Sequence, residues 1–330
     1  MRAIAILVLF FSTSVFAQDK PVLTVYTYDS FVSEWGPGLG VEAAFEQECS
    51  CDLQFVAVDS STGILSRVQL EGSNSPADIV LGLDNSLMTE AENTGLLKPH
   101  GMQLGAMDLP IEWNSDIFIP FDFGYFAFIY DSTKMASPPA SFEDLIDADS
   151  SLRIVIQNPR SSTPGLGLVL WIKALYGDDA GQVWQKLDPK ILTVTKGWWE
   201  SYSMFLEGEA DMVLSYTTSP AYHMIVDQES KYRAAEFASG HGMQIEVAAI
   251  LKSTSNPELA GQFLAFVHSP QFQSIIPTTN WMFPVVLPAD GLPLEFRDLV
   301  APSKGLTIDS EAIAANKSAW IDEFSQALSQ

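Results

Sequence analysis

Phe118 to Asp131 reads FIPFDFGYFAFIYD, a strand-like run dominated by aromatic and apolar residues. The run is longer than the five or six residues of an ordinary strand. We interpret it as an extended segment that crosses between two lobes of the protein. Gln244 to Leu251 (QIEVAAIL) is similarly strand-like and is interpreted as the return crossing. The two segments together predict two lobes joined by hinge strands.

Before the first crossing segment, strand-like and helix-like patterns alternate along the sequence. Strand-like runs are followed by segments with helical spacing, in the order 22–28 (strand), 41–48 (helix), 53–58 (strand), 64–70 (helix) and 77–83 (strand). This order predicts a parallel sheet with right-handed crossovers.

The rest of the chain repeats this character. Strands are predicted at 153–157, 190–195 and 210–215, and helices at 142–146, 168–177, 202–207, 257–268 and 310–328. We therefore predict an α/β fold in which residues 18–125 with about 240–285 form lobe 1, and 126–239 with about 286–330 form lobe 2. The ligand cleft of such a hinged trap lies between the lobes.

The first seventeen residues, MRAIAILVLFFSTSVFA, are interpreted as a secretory signal peptide. Arg2 supplies the positive start, an apolar run follows, and Val15 and Ala17 occupy the −3 and −1 positions of a cleavage site. The apolar run is too short to span ~30 Å of hydrocarbon. We expect a mature chain from Gln18 that is exported to the periplasm and not inserted in the membrane.

The composition is that of a folded, acidic protein. Hydrophobic residues make up 47% and charged residues 18%, which argues against disorder. Lys and Arg number 17 against 41 Asp and Glu, a formal charge of −24. Such a surface repels phosphate backbones and anionic lipids, so nucleic-acid binding is excluded, whereas a cationic ligand would be attracted.

No motif for catalysis or metal binding stands out. The two cysteines, Cys49 and Cys51, are too few for a disulfide scaffold or a zinc site, and we interpret them as a structural pair whose redox state the sequence leaves open. The histidines lie in no metal-binding spacing, and no GxSxG, Walker or GxGxxG motif is present. We therefore predict no catalytic residue, no metal and no cofactor.

Two segments that follow predicted strands are rich in hydroxyl groups. Ligands of open α/β sheets bind beyond the carboxyl ends of the strands. Ser60 and Ser61 precede one predicted helix, and Ser162 and Thr163 precede another. Hydroxyls and free amides at a helix N-terminus suit an anion, although they equally suit ordinary capping. Arg160 could add a contact to an anion or pair with a carboxylate.

Aromatic residues gather at other strand ends, notably at Trp198, in the segment SYTTSPAYH from Ser215 to His223, and at Trp281. Aromatic faces can stack a planar ring or hold a cation. The alternative is that these rings are core residues.

Taken in order, several segments resemble the periplasmic thiamine-binding proteins of bacterial thiamine ABC importers. They are PVLTVYTYDSF, WGPG, ADIVLGLDNSL, FIPFDFGYFAFIYD, STPGLGLVLW, VTKGWWE and LSYTTSPAYH. The resemblance runs from about Pro21 to the C-terminus and weakens after about Val286. It implies a type II periplasmic binding fold and a monomer that captures thiamine, thiamine monophosphate and thiamine diphosphate. The ligand would pass to a membrane permease and its ATPase subunits.

The resemblance also assigns ligand-binding residues. They are Tyr28, Ser162, Thr163, Trp198, Tyr216, Thr217, Thr218, Ser219, Tyr222 and Trp281. Ser60 and Ser61 stand where the family carries Asp-Gly, so a side-chain contact of the Asp would be lost there, although backbone contacts could persist.

The chemistry of thiamine agrees with this assignment. Its thiazolium ring is permanently charged, and each aromatic face could contribute ~0.5–2 kcal/mol of cation–π attraction. The hydroxyl groups could accept the hydroxyethyl or phosphate end of the ligand. The negative net charge should favour encounter with the cation and oppose the diphosphate.

Three other functions fit the same fold. An iron-binding protein could use Tyr216 and Tyr222 as phenolate ligands, with His223 nearby. A thiamine-cleaving enzyme would need Cys49 or Cys51 in the cleft, whereas our assignment places both at the wrong end of the sheet. A generic sugar or amino-acid receptor lacks the specific resemblance.

Overall fold

The structure is a computed structural model that describes residues 20–329. The predicted signal peptide, residues 1–17, lies outside the described residues. Within them, no helix combines the length and the apolar character that crossing a membrane requires.

The chain alternates strands and helices along most of its length. The strands are β1 Val22–Tyr28, β2 Asp52–Val58, β3 Ile79–Asp84, β4 Leu97–Lys98, β5 Ile119–Asp131, β6 Ile154–Gln157, β7 Ile191–Thr195, β8 Met212–Tyr216, β9 Tyr232–Ala234, β10 His241–Leu251, β11 Phe283–Pro284 and β12 Gly305–Leu306. The helices are α1 Gly38–Cys49, α2 Ser61–Glu71, α3 Met88–Asn93, α4 Phe142–Asp147, α5 Thr163–Tyr176, α6 Ala180–Leu187, α7 Trp198–Leu206, α8 Pro220–Tyr222, α9 Pro257–Val267, α10 Pro270–Thr279 and α11 Ser310–Ala327.

Strand β5 belongs to both lobes, as predicted for the aromatic run. Its first half, from Ile119 to Tyr125, pairs antiparallel with β10, and from Phe126 onward it pairs antiparallel with β8. The strand order is β2-β1-β3-β10-β5-β8-β6-β7, in which β1 runs parallel to both β2 and β3, and β6 runs parallel to both β7 and β8. This is the predicted two-lobed α/β fold.

The return crossing begins at His241 rather than at Gln244, and its first residues pair with β12. The C-terminal segment, which the prediction assigns to lobe 2, contacts both lobes. Helix α11 packs on α5 and α6 of the second lobe, but it also contacts α3 of the first. Its Lys317 ammonium pairs with the Glu90 carboxylate of α3. The C-terminal helix therefore ties the two lobes together.

Each lobe has its own aromatic core. In the first, Phe45 packs edge-on against Phe263, and in the second Phe142 packs edge-on against Trp171. Burying such a side chain contributes about 1.5–3 kcal/mol. The core residues pack on both faces of the sheets.

The cysteines form a disulfide at the end of α1. Between them Ser50 has φ of 52°, a left-handed conformation that ends the helix. Cys51 is fully buried in the first core. The pair is structural, in agreement with the interpretation from the sequence.

Helix α7 begins four residues earlier than predicted, at Trp198 rather than at Tyr202. The two tryptophans carry no strong helical signal, because aromatic residues lose side-chain freedom in a helix. The early start places the Trp198 ring in the first turn of α7, at the cleft.

Candidate functional site

A cavity of about 330 Å³ lies between the lobes. The predicted ligand-binding residues that line it are Tyr28, Ser60, Ser61, Ser162, Thr163, Trp198, Tyr216, Ser219, Tyr222 and Trp281. They come from both lobes and lie far apart in the sequence, from Tyr28 to Trp281. The fold therefore brings together residues that the sequence could only place at separate strand ends.

Two predicted residues, Thr217 and Thr218, do not line the cavity. Both are fully buried, and neither hydroxyl has a hydrogen-bond partner among residues 20–329. The Thr217 amide donates to the Tyr125 carbonyl at 2.8 Å, and the Thr218 carbonyl accepts from the Ala221 amide at 3.0 Å. The chain turns inward here, so these threonines support the loop between β8 and α8 from below.

The hydroxyl groups of the cavity lie where two helices begin. Ser60 caps α2 by accepting from the Gly63 amide at 3.3 Å, whereas Ser162 begins α5 with no capping hydrogen bond from its side chain. The Ser61 and Thr163 hydroxyls are 3.1 Å apart across the cleft. Two positive helix ends therefore converge on one place, which suits an anion.

The mouth of the cleft is bridged by residues that sequence reasoning missed. Lys196, just before α7, forms an ion pair with Asp59 of the first lobe at 2.6 Å. The Trp35 ring lies 6.4 Å from Trp198 and 6.1 Å from Trp199, measured between ring centroids. Both contacts are exposed. They connect the two lobes across the entrance of the cleft and leave that entrance accessible to solvent. Trp35 belongs to the WGPG turn identified in the sequence, but no sequence pattern indicated that it contacts Trp198 and Trp199.

The aromatic walls of the cavity are held by specific contacts. Trp198 stacks on Tyr202 with centroids 5.0 Å apart, and its Nε1 donates to Ser215 Oγ at 2.7 Å. On the other side, Tyr222 meets Trp281 edge-on at 5.2 Å. Trp281 has φ of 56°, a left-handed conformation that is costly for a bulky residue. Its surroundings hold this indole in place beside the cavity.

Polar residues of β10 and Asn280, which directly follows α10, form the floor of the cavity. The Tyr28 hydroxyl donates to Glu246 Oε2 at 2.7 Å, and the Tyr216 hydroxyl donates to Gln244 Oε1 at 2.8 Å. Asn280 Nδ2 donates to the Tyr28 hydroxyl oxygen at 2.9 Å. Gln244 and Glu246 were not predicted. Their i,i+2 spacing in an otherwise apolar strand was the available signal, because it places both on one face.

Burial controls the charges of this floor. It raises the pKa of Tyr28 and of Tyr216 well above the usual value, with the charge of Glu246 acting in the same direction, so both phenols stay protonated. Burial also raises the pKa of Glu246, to about 7, against the lowering effect of its hydrogen bond from Tyr28. The cavity floor therefore contains a carboxyl group that titrates near neutral pH.

His223 lies at the edge of the cavity and is tied to the second lobe. Its Nε2 is 3.0 Å from the Tyr202 hydroxyl, and its Nδ1 is 2.8 Å from Asp227 Oδ2. Burial lowers the pKa of this histidine despite the carboxylate. Across residues 20–329 no three His, Cys, Asp or Glu side chains form a group suited to a metal ion.

Comparisons with known proteins agree on one family. Residues 38–274 match the family described as bacterial extracellular solute-binding protein. The thiamine-binding periplasmic protein of Escherichia coli (strain K12) is 51% identical over 324 residues, covering 98% of each chain. The protein of the same name from Brucella melitensis biotype 1 (strain 16M) is 49% identical over 314 residues, covering 95% of this chain and 94% of the relative.

Solved structures show the same relation. A periplasmic thiamin binding protein superposes with a TM-score of 0.91 at 51% identity, covering 94% of this chain and 97% of its own. The ferric binding protein from Campylobacter jejuni has a TM-score of 0.76 at 21% identity, covering 92% of this chain and 99% of its own, a likeness of fold alone. The chain thus belongs to the bacterial extracellular solute-binding proteins and, within them, to the family of thiamine-binding periplasmic proteins.

Proposed function

We propose that this protein is the periplasmic receptor that captures thiamine and its mono- and diphosphate and delivers them to an ABC importer. The observation that carries the proposal is that one cavity combines aromatic walls with two converging helix N-termini. Thiamine has the matching halves, two flat rings of which one is cationic, and an alcohol or phosphate end. The named relatives support the same ligand.

The aromatic walls would hold the rings. Trp198, Tyr222 and Trp281 offer faces and edges to the cavity from both sides. The hydroxyls of Ser61, Ser162 and Thr163 would accept the other end of the ligand. Because the cavity is completed by the two lobes of a single chain, we infer that the receptor works as a monomer and needs no cofactor.

Titration calorimetry tests this proposal directly. The mature protein is unfolded to remove bound ligand, refolded, and titrated with thiamine, thiamine monophosphate and thiamine diphosphate. We expect tight binding of one ligand per chain. The absence of binding heat and of any change in tryptophan fluorescence with all three compounds would contradict the proposal. Ferric ion and other cationic heterocycles would then be the next ligands to test.

The phosphate end gives a separate prediction. Replacing Ser61 by Ala or Thr163 by Val removes a hydroxyl from the place where the helix ends converge. A hydrogen bond to a charged group contributes about 1.5–3 kcal/mol, so each variant should bind thiamine monophosphate about tenfold to a hundredfold more weakly. Calorimetry with both ligands checks this. Affinity for free thiamine should stay within about threefold of wild type, since the rings are held elsewhere. Equal losses for both ligands would contradict the assignment of the phosphate end.

We also infer that the protein does not cleave thiamine. Both cysteines are committed to the disulfide at the end of α1, and neither lines the cavity. The double variant Cys49→Ser, Cys51→Ser should bind thiamine like the wild type. Thiamine incubated with either protein and an amine nucleophile should remain intact when followed by liquid chromatography. Consumption of thiamine by the wild type and not by the double variant would contradict this inference.

A further inference from the structure

Two carboxyl groups face each other across the hinge strands beneath the cavity. Asp122 on β5 and Glu246 on β10 are directly paired in the antiparallel ladder, next to an irregularity in its register. Such irregularities re-aim side chains beside functional sites. Glu246 lines the cavity and is 6% exposed, whereas Asp122 is fully buried below it. The pair therefore lies where the lobes join and where the ligand is held.

Neutral donors, not cations, connect the pair. Asn280 Nδ2 lies 2.6 Å from Asp122 Oδ2 and 3.3 Å from Glu246 Oε2. Glu246 also accepts from the Tyr28 hydroxyl at 2.7 Å and from Gln244 Nε2 at 2.9 Å. Asp122 Oδ1 is buried with no hydrogen-bond partner among residues 20–329. No salt bridge within the same residues involves either carboxyl group.

The other ionisable groups around the pair do not supply the missing positive charge. The negative charge of Asp84 on β3 raises the pKa of Glu246 further. The positive charge of Lys317 on α11 acts on Asp84, whose pKa it lowers. Tyr28 on β1 and Tyr216 on β8 remain neutral phenols. At the far wall, His223 is paired with Asp227 and a lowered pKa keeps it neutral near pH 7.

Two buried carboxylates without a cation are unfavourable together, so such a pair retains a proton. We propose that Glu246 is the counter-ion for the positive ring of the ligand, and that capture of this cation displaces a proton from the Asp122–Glu246 pair to solvent. The inference rests on the proposed function, since it requires a cationic ligand. It assigns to Glu246 the selection of a charged ring over a neutral ring of the same shape.

The direction of the pH dependence follows. Burial and the charge of Glu246 raise the pKa of Asp122 well above its usual range, and the pKa of Glu246 is raised to about 7. Glu246 is thus largely neutral at lower pH, and a bound cation favours its ionised form. Affinity for the cation reaches its full value at about pH 8 and above, and falls as the pH is lowered through about 7. Between about pH 8 and about pH 6 the loss should be about tenfold.

Calorimetry on the full mature chain in buffers of different ionisation enthalpy measures the protons released. Thiamine itself is the probe, because phosphate esters titrate near pH 6. Its partner probe is the neutral analogue in which carbon replaces the quaternary nitrogen. For the wild type we expect release of nearly one proton per thiamine at about pH 6, little release at about pH 8, and none at either pH with the analogue.

The variant Glu246→Gln localises the effect. It should release no proton and should lose most of the preference for thiamine over the neutral analogue, about tenfold or more at pH 8. The matched control is Glu258→Gln, the same substitution at an exposed position of α9 outside the cavity, which should release protons like the wild type. Thermal unfolding checks that both variants are folded. The comparison of thiamine with its neutral analogue on the wild type tests the inference without any variant.

The outcomes separate this inference from the proposed function. Tight thiamine binding with no proton release and a flat affinity between about pH 6 and about pH 8 would overturn the inference and leave the receptor function intact. Proton release that persists in Glu246→Gln would also overturn it. Failure of the wild type to bind thiamine at any pH would overturn the proposed function, and the inference with it.

Discussion

Replacing Trp198 by Ala should weaken thiamine binding by about a hundredfold. The ring forms one wall of the cavity, stacks on Tyr202 and meets Trp35 of the other lobe. The variant therefore loses stacking on the ligand, cation–π attraction and a contact that bridges the closed lobes. Together these losses amount to about 3 kcal/mol, which corresponds to about two orders of magnitude in Kd. Titration calorimetry measures the change.

Two further variants define the cause. Trp198→Phe keeps an aromatic face but loses the hydrogen bond to Ser215 Oγ, and should lose about tenfold in affinity. Trp320→Ala makes the same truncation on α11, away from the cavity, and should bind thiamine like the wild type. If Trp198→Ala binds thiamine within about threefold of wild type, the rings of the ligand do not lie against this wall.

The sequence was sufficient for the fold because its signals are local and repeated. Strand-like runs of apolar residues alternate with segments of helical spacing. The run from Phe118 to Asp131 is longer than an ordinary strand, which indicates a crossing between lobes. The observed strand β5 spans both lobes for that reason. Boundaries were less predictable, as at Trp198, where an aromatic pair concealed the first turn of α7.

The candidate site was predictable only in part. Hydroxyls before helices and aromatics after strands could be identified one segment at a time, and most of them line one cavity. Neither this reasoning nor the resemblance could orient a side chain within a loop, and Thr217 and Thr218, which the resemblance assigns to the ligand, are buried outside the cavity lining. It also passed over Glu246. The i,i+2 spacing of Gln244 and Glu246 places both on one face of β10, but it gives no indication that Asp122 faces Glu246 across the ladder. Pairing between distant strands determines such contacts, and pairing register is a property of the whole fold.

Two glycine substitutions in helices should change stability in opposite directions. An ideal Cβ on Gly167 of α5 would lie 2.1 Å from the ring of Phe126, whereas an ideal Cβ on Gly261 of α9 meets nothing within 4 Å. In open space, Ala in a helix is more stable than Gly by about 0.5–1 kcal/mol. Forced packing typically costs about 1–3 kcal/mol. We therefore expect Gly261→Ala to raise the free energy of unfolding and Gly167→Ala to lower it.

Urea unfolding of the two variants beside the wild type measures this, with the midpoint compared at constant slope. Phe126 lies where β5 passes into the second lobe, and its ring packs 5.3 Å from Tyr216 of the cavity. Gly167→Ala should therefore also weaken thiamine binding, whereas Gly261→Ala should not. A Gly167→Ala protein that unfolds at the same or a higher urea concentration than wild type would show that the Phe126 ring can move aside. The close packing of α5 on the crossing strand would then not be what fixes the cavity.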